Sequence, residues 1–360
     1  MKILHLEASS GWGGQEIRIL SECIGMRARG HEMVLAVEKG SVLARRARDK
    51  GFVVYEVSFR RKHWPVVLFQ LFRIMKRHQI EIVNTHSSLD AWIGGIAARL
   101  MGKKIVRTRH LSTAVKGGWN SRFVYGSLAD HVMTTCQSII SHLSCQSKRP
   151  ASDFSSIPTG VNLNQILADP IQAEKFRQSL GIKSGQFLVG TVCFMRSWKG
   201  LDDFLLAANQ LRDDPALRWV IIGGGHEAIY RKKARELNLE GIVFFTGHLE
   251  CPYSSILALD AFALLSTANE GVSQAILQAA YLGRPLIATE TGGLCEVCIP
   301  GQTGIVVPIR SPSKVAEAVL CLKNDPTLCE KYGMEGKKLV FEQFRFEQTL
   351  DKVENLYRCI

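Results

Sequence analysis

Short apolar runs alternate with amphipathic stretches through the first half of this chain. Lys2–Leu6 is followed by Gln15–Ala28, Glu32–Val37 by Val42–Lys50, and Ile80–Thr85 by Asp90–Met101. The first member of each pair is Ile-, Leu- and Val-rich and of strand length, while the second repeats its apolar residues at helical spacing. Lys104–Arg107 and His131–Thr134 read as further strands. Such alternation predicts a parallel sheet with helices on both faces. The pattern breaks at IPTGVNLN, where Pro158 and Gly160 mark a turn, and the chain is expected to cross between domains there.

Beyond the crossing, strands are expected at Phe187–Cys193, Arg218–Gly223, Val243–Thr246, Ala261–Ser266, Pro285–Thr289 and Gly304–Val307. The expected fold class is therefore α/β: two doubly wound, Rossmann-like parallel-sheet domains spanning 1–163 and 164–340. The last stretch, Glu335–Tyr357, has a helical composition, and its end, about 341–360, should pack back on the first domain. Ligands of doubly wound sheets lie outside the carboxyl ends of the strands. The glycines gather at those ends: Gly11, Gly13 and Gly14 after the first strand, Gly223, Gly224 and Gly225 after Trp219–Ile222, and Gly292 and Gly293 after Leu286–Thr289. Two facing sheets would enclose a cleft between such edges.

Length and composition agree with this picture: 360 residues suit two domains, and 46% hydrophobic with 22% charged residues is a globular balance. No segment offers the ~18 uninterrupted apolar residues of a membrane span. The N-terminal MKILHLEASSGWGG reads as strand and glycine loop rather than as a signal peptide, so a cytoplasmic location is expected. The ten cysteines are scattered, which fits reduced thiols, and the lone C-x-x-C at Cys295 and Cys298 lacks the second ligand pair of a zinc site.

Charge changes the picture more. Residues 1–165 hold 24 Lys and Arg against 11 Asp and Glu, whereas the remainder holds 21 against 22, so the net +12 resides wholly in the first half. One lobe is thus expected to meet something anionic. The clearest patch is RRKHWPVVLFQLFRIMKRH, Arg60–His78, where Trp64, Val67, Leu68, Leu71, Phe72 and Met75 recur at helical spacing beside Arg73, Lys76 and Arg77. A basic amphipathic helix can lie in a lipid interface; the alternative is a core stripe with solvated cations. No aromatic-and-basic recognition module accompanies the charge, which disfavours nucleic acid.

Two constellations suggest chemistry. In Ser266–Gly283, STANEGVSQAILQAAYLG, a strand end leads through Glu270 and Gly271 to a helix starting near Ser273. Backbone amides at such a start, at Gly271, Val272, Ser273 and Gln274, form an anion site. Glu270 would then serve sugar hydroxyls, and Gln278, about two turns into the helix, a ribose. In VCFMRSWKGLDD, Arg196 and Lys199 follow a strand end, and two cations there suit a diphosphate. Gly223–Ala228 fits G-x-G-x-x-A, but no acid stands at a strand end ~20 residues on, as a dinucleotide site wants, which leaves an NAD oxidoreductase as a fold-level alternative.

These residues carry a resemblance. R-S-W-K-G at 196–200, I-I-G-G-G at 221–225, F-T-G-H at 245–248, S-T-A-N-E-G at 266–271, T-G-G-L-C-E at 291–296 and T-G-I-V-V-P at 303–308 resemble the C-terminal half of retaining GT-B glycosyltransferases of family 4. G-W-G-G at 11–14, T-H-S-S at 85–88, T-R-H at 108–110 and P-T-G-V-N at 158–162 resemble its N-terminal half more loosely. The resemblance implies the GT-B fold and a nucleotide-diphosphate-sugar donor. Arg196 and Lys199 would bind the diphosphate and Glu270 the transferred sugar, His110 would stand close to that sugar across the cleft, and Gly13 and Gly14 would let their loop close on the donor. His86 is a weaker candidate. One departure is plain: the family's Glu-x7-Glu is here Glu270-x7-Gln278.

No Asp-x-Asp occurs in the chain, so a divalent-metal clamp is not indicated and neither metal nor cofactor is expected. The reaction implied is hexosyl transfer to a glycan or lipid-linked acceptor in the biosynthesis of lipopolysaccharide or another cell-surface polysaccharide, at the inner face of a membrane. A UDP-N-acetylhexosamine epimerase and a non-catalytic nucleotide-sugar binder are the alternatives.

Overall fold

A computed structural model describes residues 1–113 and 115–360. The chain divides into two units, 1–159 with 347–360, and 160–346. The crossings thus fall at 159/160 and 346/347, where the sequence suggested 163/164 and about 341.

The first unit runs β1 (Lys2–Glu7), α1 (Gly14–Ala28), β2 (Glu32–Glu38), α2 (Val42–Asp49), β3 (Val53–Val57), α3 (Trp64–Arg77), β4 (Ile82–Thr85), α4 (Ser88–Leu100), β5 (Lys104–Arg109), α5 (Trp119–Arg122), β6 (His131–Thr134), α6 (Ile140–Ser147) and β7 (Phe154–Ser156). Its seven strands are ordered β3-β2-β1-β4-β5-β6-β7, with every pairing parallel. Strands covered on both faces read as continuous apolar runs, which is why Ile3–Leu6 and Met33–Val37 are buried at successive positions. β3 and β7 escaped the sequence reading. Both are edge strands, and β7 is only three residues, Phe-Ser-Ser, with no apolar period.

The second unit follows with α7 (Pro170–Ser179), β8 (Phe187–Val192), α8 (Leu201–Gln210), β9 (Leu217–Ile222), α9 (Glu227–Glu236), β10 (Val243–Gly247), α10 (Tyr253–Leu257), β11 (Ala261–Leu264), α11 (Gln274–Tyr281), β12 (Leu286–Thr289), β13 (Gly304–Val307), α12 (Pro312–Asn324) and α13 (Pro326–Gln343), and α14 (Phe346–Cys359) returns the chain to the first unit. Its six parallel strands are ordered β10-β9-β8-β11-β12-β13. In both sheets the order reverses beside the first strand, between β1 and β4 and between β8 and β11. Loops leaving the carboxyl ends at such a reversal diverge and open a crevice, the usual ligand position of doubly wound sheets.

Two expectations are corrected. The final helical stretch is two helices: α13 stops at Gln343, and Phe344 and Phe346 instead exchange backbone hydrogen bonds with Val161, at 2.8 and 2.9 Å. The apolar stripe of α3 is largely core rather than a lipid-facing surface. Val67, Leu71, Ile74 and Met75 are buried against Leu4, Val34 and Val83, and Trp64, Leu68 and Phe72 pack partly on the same cluster. Only Val66 and Phe69 among its large apolar residues stand out, each 61% exposed.

Candidate functional site

At the β8/β11 reversal of the second unit, the loop after β8 and the loop after β11 are locked together by a backbone approach that demands glycine. Gly200 has φ +67°, and a Cβ there would lie 1.8 Å from the Leu265 carbonyl oxygen. The Thr267 amide donates to the Trp198 carbonyl at 2.8 Å. This close packing brings Lys199 to Glu270: the ammonium donates to Oε1 of the carboxylate, which also accepts from the Ser266 hydroxyl at 2.7 Å. Both side chains are largely buried. Ser266 is fixed in turn, its carbonyl accepting from the Thr289 hydroxyl at 2.5 Å.

Arg196 lies on the same loop but is exposed, its guanidinium 5.0 Å from the Phe194 ring centre and 5.1 Å from that of Trp198. The two aromatics hold a flexible cation at the sheet edge without neutralising it. Beyond Glu270, Gly271 and Val272 lead to Ser273, whose extended backbone (φ −75°, ψ 136°) starts α11. Gln274 bonds the Gly160 carbonyl at 3.2 Å, so its side chain already has a structural task. Gln278 sits one turn further along, half-buried.

The glycines after β9 divide by role. Gly223 (φ +140°) and Gly225 (φ +108°) sit where a Cβ would meet the Cys193 and Met195 carbonyl oxygens, at 1.9 and 2.7 Å, so both are consumed in packing the β8 and β9 loops together. Gly224 has no such constraint; a Cβ there would make only an ordinary contact with His248.

In the first unit, the β1/β4 reversal carries a polar network that the sequence only partly foretold. Asp90, buried on the first turn of α4, accepts from the backbone amides of Ala8, His86 and Ser87 at 2.9–3.1 Å, tying the loop after β1 to the loop after β4. Glu7 ends β1 and accepts from the Ser9 amide at 2.7 Å, and from the Ser87 hydroxyl and the Gln15 amide. Burial raises both carboxyls above their ordinary range, and each is pushed further by a neighbouring acid, Glu16 beside Glu7 and Glu7 beside Asp90. In the loop thus anchored, Gly13 donates to Glu16 at 2.8 Å, and a Cβ on Gly14 would meet nothing within 4 Å. The chain itself therefore does not require glycine at 14, the first residue of α1.

Three histidines line the same reversal. His5 of β1 is fully buried, His86 follows β4, and the half-buried His110 follows β5. His5 Nδ1 lies 2.9 Å from His86 Nε2, and His86 Nδ1 lies 3.0 Å from His110 Nε2. Desolvation lowers all three, His5 to about 3, and the charges of Arg18 and Arg107 depress His86 and His110 further, so the rings are neutral at physiological pH. Arg18 and Arg107 are themselves buried, which means that part of the basic excess of the first half serves the interior rather than a partner. His5, Glu7, Asp90, Arg18 and Arg107 were missed from sequence. Only the Ser-x-x-Asp helix-start pattern at 87–90 signalled any of them.

The model for glycosyl transferases group 1 matches residues 172–339, and that for glycosyltransferase family 4 matches residues 12–165. The chain is 22% identical over 359 residues to N-acetyl-alpha-D-glucosaminyl L-malate synthase of Bacillus anthracis, covering 91% of this chain and 93% of that one. It is 28% identical over 316 residues to the GDP-mannose-dependent alpha-(1-6)-phosphatidylinositol monomannoside mannosyltransferase of Mycobacterium tuberculosis, covering 82% and 80%. Among solved structures, Anabaena HepE in complex with UDP superposes over 100% of both chains with a TM-score of 0.88 at 20% identity. Two parallel-sheet units of this order, matched along nearly their whole length, make this chain a member of the family 4 glycosyltransferases with the GT-B fold.

Proposed function

We propose that this enzyme transfers a hexosyl group from a nucleoside diphosphate sugar to a glycan or glycolipid acceptor with retention of anomeric configuration, and without a metal ion. The observation that carries the reading is the pairing of Lys199 with Glu270 at the β8/β11 reversal, beside Arg196 and the start of α11. A cation for phosphate and a carboxylate for hydroxyls stand in contact there, as a sugar phosphate requires. The mannosyltransferase relative acts, by its name, on a glycolipid, and HepE binds UDP, which supports the donor and acceptor classes.

In the proposed reaction the bond from the sugar C1 to the diphosphate oxygen breaks as the acceptor oxygen bonds C1 on the same face. The acceptor proton passes to the departing phosphate oxygen. Arg196, Lys199 and the amides of Val272–Gln274 stabilise the charge that builds on the diphosphate, which is where preorganised donors act most strongly. Glu270 orients the sugar, Gln278 binds the ribose, and His110 hydrogen-bonds a sugar hydroxyl. Cell-surface polysaccharide or lipopolysaccharide synthesis on the inner face of a membrane is the setting proposed. Attachment there is proposed to be peripheral; no helix among the described residues is long and apolar enough to cross a membrane.

A thermal-shift panel of UDP, GDP, ADP and their sugars tests the donor class, followed by assays of transfer, donor hydrolysis and epimerisation with the sugar that stabilises most. Transfer that survives EDTA is expected. Epimerisation without an acceptor, or a strict need for manganese or magnesium, would refute the reading.

A further inference from the structure

We propose that His5 and His86 fix which ring nitrogen of His110 carries its proton, so that His110 presents an Nδ1–H donor to an oxygen of the sugar substrate. The inference rests on the reading above that His110 meets that substrate. It makes His5 and His86 positioning residues for His110.

The three rings form a chain with two internal contacts and two ends. Each contact joins Nδ1 of one ring to Nε2 of the next, at 2.9 and 3.0 Å, and the first pair of rings is nearly parallel, with centres 5.1 Å apart and planes 10° from each other. A neutral imidazole has one N–H and one bare nitrogen. Each contact needs one of each, so the protons order along the whole chain in one of two directions. In the first, His5 Nδ1–H donates to His86, His86 Nδ1–H donates to His110 Nε2, and His110 is left with Nδ1–H facing outward. In the second, every proton sits on Nε2, and His110 offers a bare Nδ1.

The buried end decides between them. His5 Nε2 has no hydrogen-bond partner, and its side chain is wholly inaccessible. The second arrangement would place an N–H there with nothing to accept it, and an orphaned buried N–H is costly and rare in folded proteins. The first arrangement places only a lone pair there. The sealed end also prevents resetting: reversing the chain would require a proton to enter at His5 Nε2 while another leaves His110 Nδ1, and nothing adjoining His5 Nε2 can supply it. His110 is thus held as a donor, suited to an oxygen lone pair, and carries no charge that would compete for the diphosphate.

The test is ring-nitrogen NMR of the full chain labelled with 15N-histidine. His110 and His86 should each show a protonated Nδ1 and a bare Nε2; a protonated Nε2 on His110 overturns the proposal. His86→Leu should release His110 into a mixture of tautomers and lower kcat/KM by up to about tenfold, the scale of one hydrogen bond. His86→Gln, whose amide can donate to His110 Nε2 and accept from His5 Nδ1, should restore the Nδ1–H form. An unchanged His110 pattern in His86→Leu would show that His86 does not set the tautomer. Addition of the nucleotide sugar found by the panel should move the His110 Nδ1 resonance. If the tautomer is as proposed but that resonance is unmoved and His110→Ala transfers normally, the inference stands and the reading of His110 as a substrate contact fails.

Discussion

The Lys199 ammonium rests on the Glu270 carboxylate, so two side chains assigned from sequence to opposite ends of a sugar phosphate are each other's partner. A diphosphate bound by Lys199, as proposed, would compete with Glu270 for it. Removing the charge of Glu270 while keeping its shape should therefore separate binding from transfer. Glu270→Gln is expected to bind the nucleoside diphosphate at least as tightly as the parent while losing most transfer. Lys199→Ala should weaken both, by removing the cation, and should also lower stability by roughly 3–5 kcal/mol, because it leaves a buried carboxylate unpaired. Calorimetric titration with the nucleotide, beside turnover of both variants, checks this; weakened binding in Glu270→Gln would contradict the competition.

Arg196 is held by aromatic faces rather than by an acid, so its charge is free for a ligand. Arg196→Ala is expected to lower kcat by about 10²–10³, the cost of losing one preorganised donor to a developing oxyanion. Arg196→Lys should recover only part of this, since an ammonium can neither fork to two phosphate oxygens nor stack as a plane on Phe194 and Trp198. Near-normal turnover of Arg196→Ala would remove it from the site.

Gln278 replaces the acid of the family pattern one turn into α11. A charged acceptor bonds hydroxyls more strongly than an amide, so Gln278→Glu should tighten nucleoside diphosphate binding, whereas Gln278→Ala should loosen it. Equal dissociation constants for both variants and the parent would place residue 278 outside the ribose site.

The three buried histidines should make stability fall with acid. His5 is lowered to about 3 in the folded chain from the ordinary imidazole value of about 6.5. A depressed group of this kind contributes stability that is complete above the unfolded value and is lost as pH falls toward the folded one, because the unfolded chain takes up the proton first. From pH 7 to pH 5, His5 alone should cost roughly 2 kcal/mol, with His86 and His110 acting in the same direction. Glu7 and Asp90, raised by burial, act oppositely: their contribution is complete below the unfolded carboxyl range and declines as pH rises through their folded values. Urea unfolding at pH 7 and pH 5 of the parent and of a His5→Gln variant separates the two; the same pH dependence in both would show that His5 is not buried in neutral form.

Any affinity of the basic first unit for an anionic membrane must be carried by cations, since the apolar face of α3 is in the core. Arg60, Arg61, Lys62, Arg73, Lys76 and Arg77 are exposed, and Arg73, Lys76 and Arg77 line a cavity of about 450 Å³ with Tyr55 and Gln70. Sedimentation with phosphatidylserine vesicles should show binding that weakens with salt and disappears when these six residues are neutralised, while Phe69→Ser changes it little. Indifference to anionic vesicles at low salt would leave a diffusible acceptor as the better proposal.

The sequence by itself determined the alternation of strand and helix, the two sheets, and the loops at which chemistry collects. These follow from local period and from glycine, which one segment can display alone: the runs at Lys2–Leu6 and Phe187–Cys193 name their strands, and Gly13–Gly14 and Gly271 name their loops. Tertiary structure alone decided which side chains meet. The α3 stripe has the period of either a core face or a lipid face, and only packing against β1, β2 and β4 chose the core. Lys199 and Glu270 are 71 residues apart, and His5 and His86 are 81 apart. No local rule couples such positions; the reversal of strand order does, by setting β1 beside β4 and β8 beside β11. Buried charge was least legible of all. Nothing local marks Asp90 and Arg18 as buried, because the groups that offset their burial, the amides of Ala8, His86 and Ser87 for Asp90 and the Glu22 carboxylate for Arg18, meet them only in the folded chain.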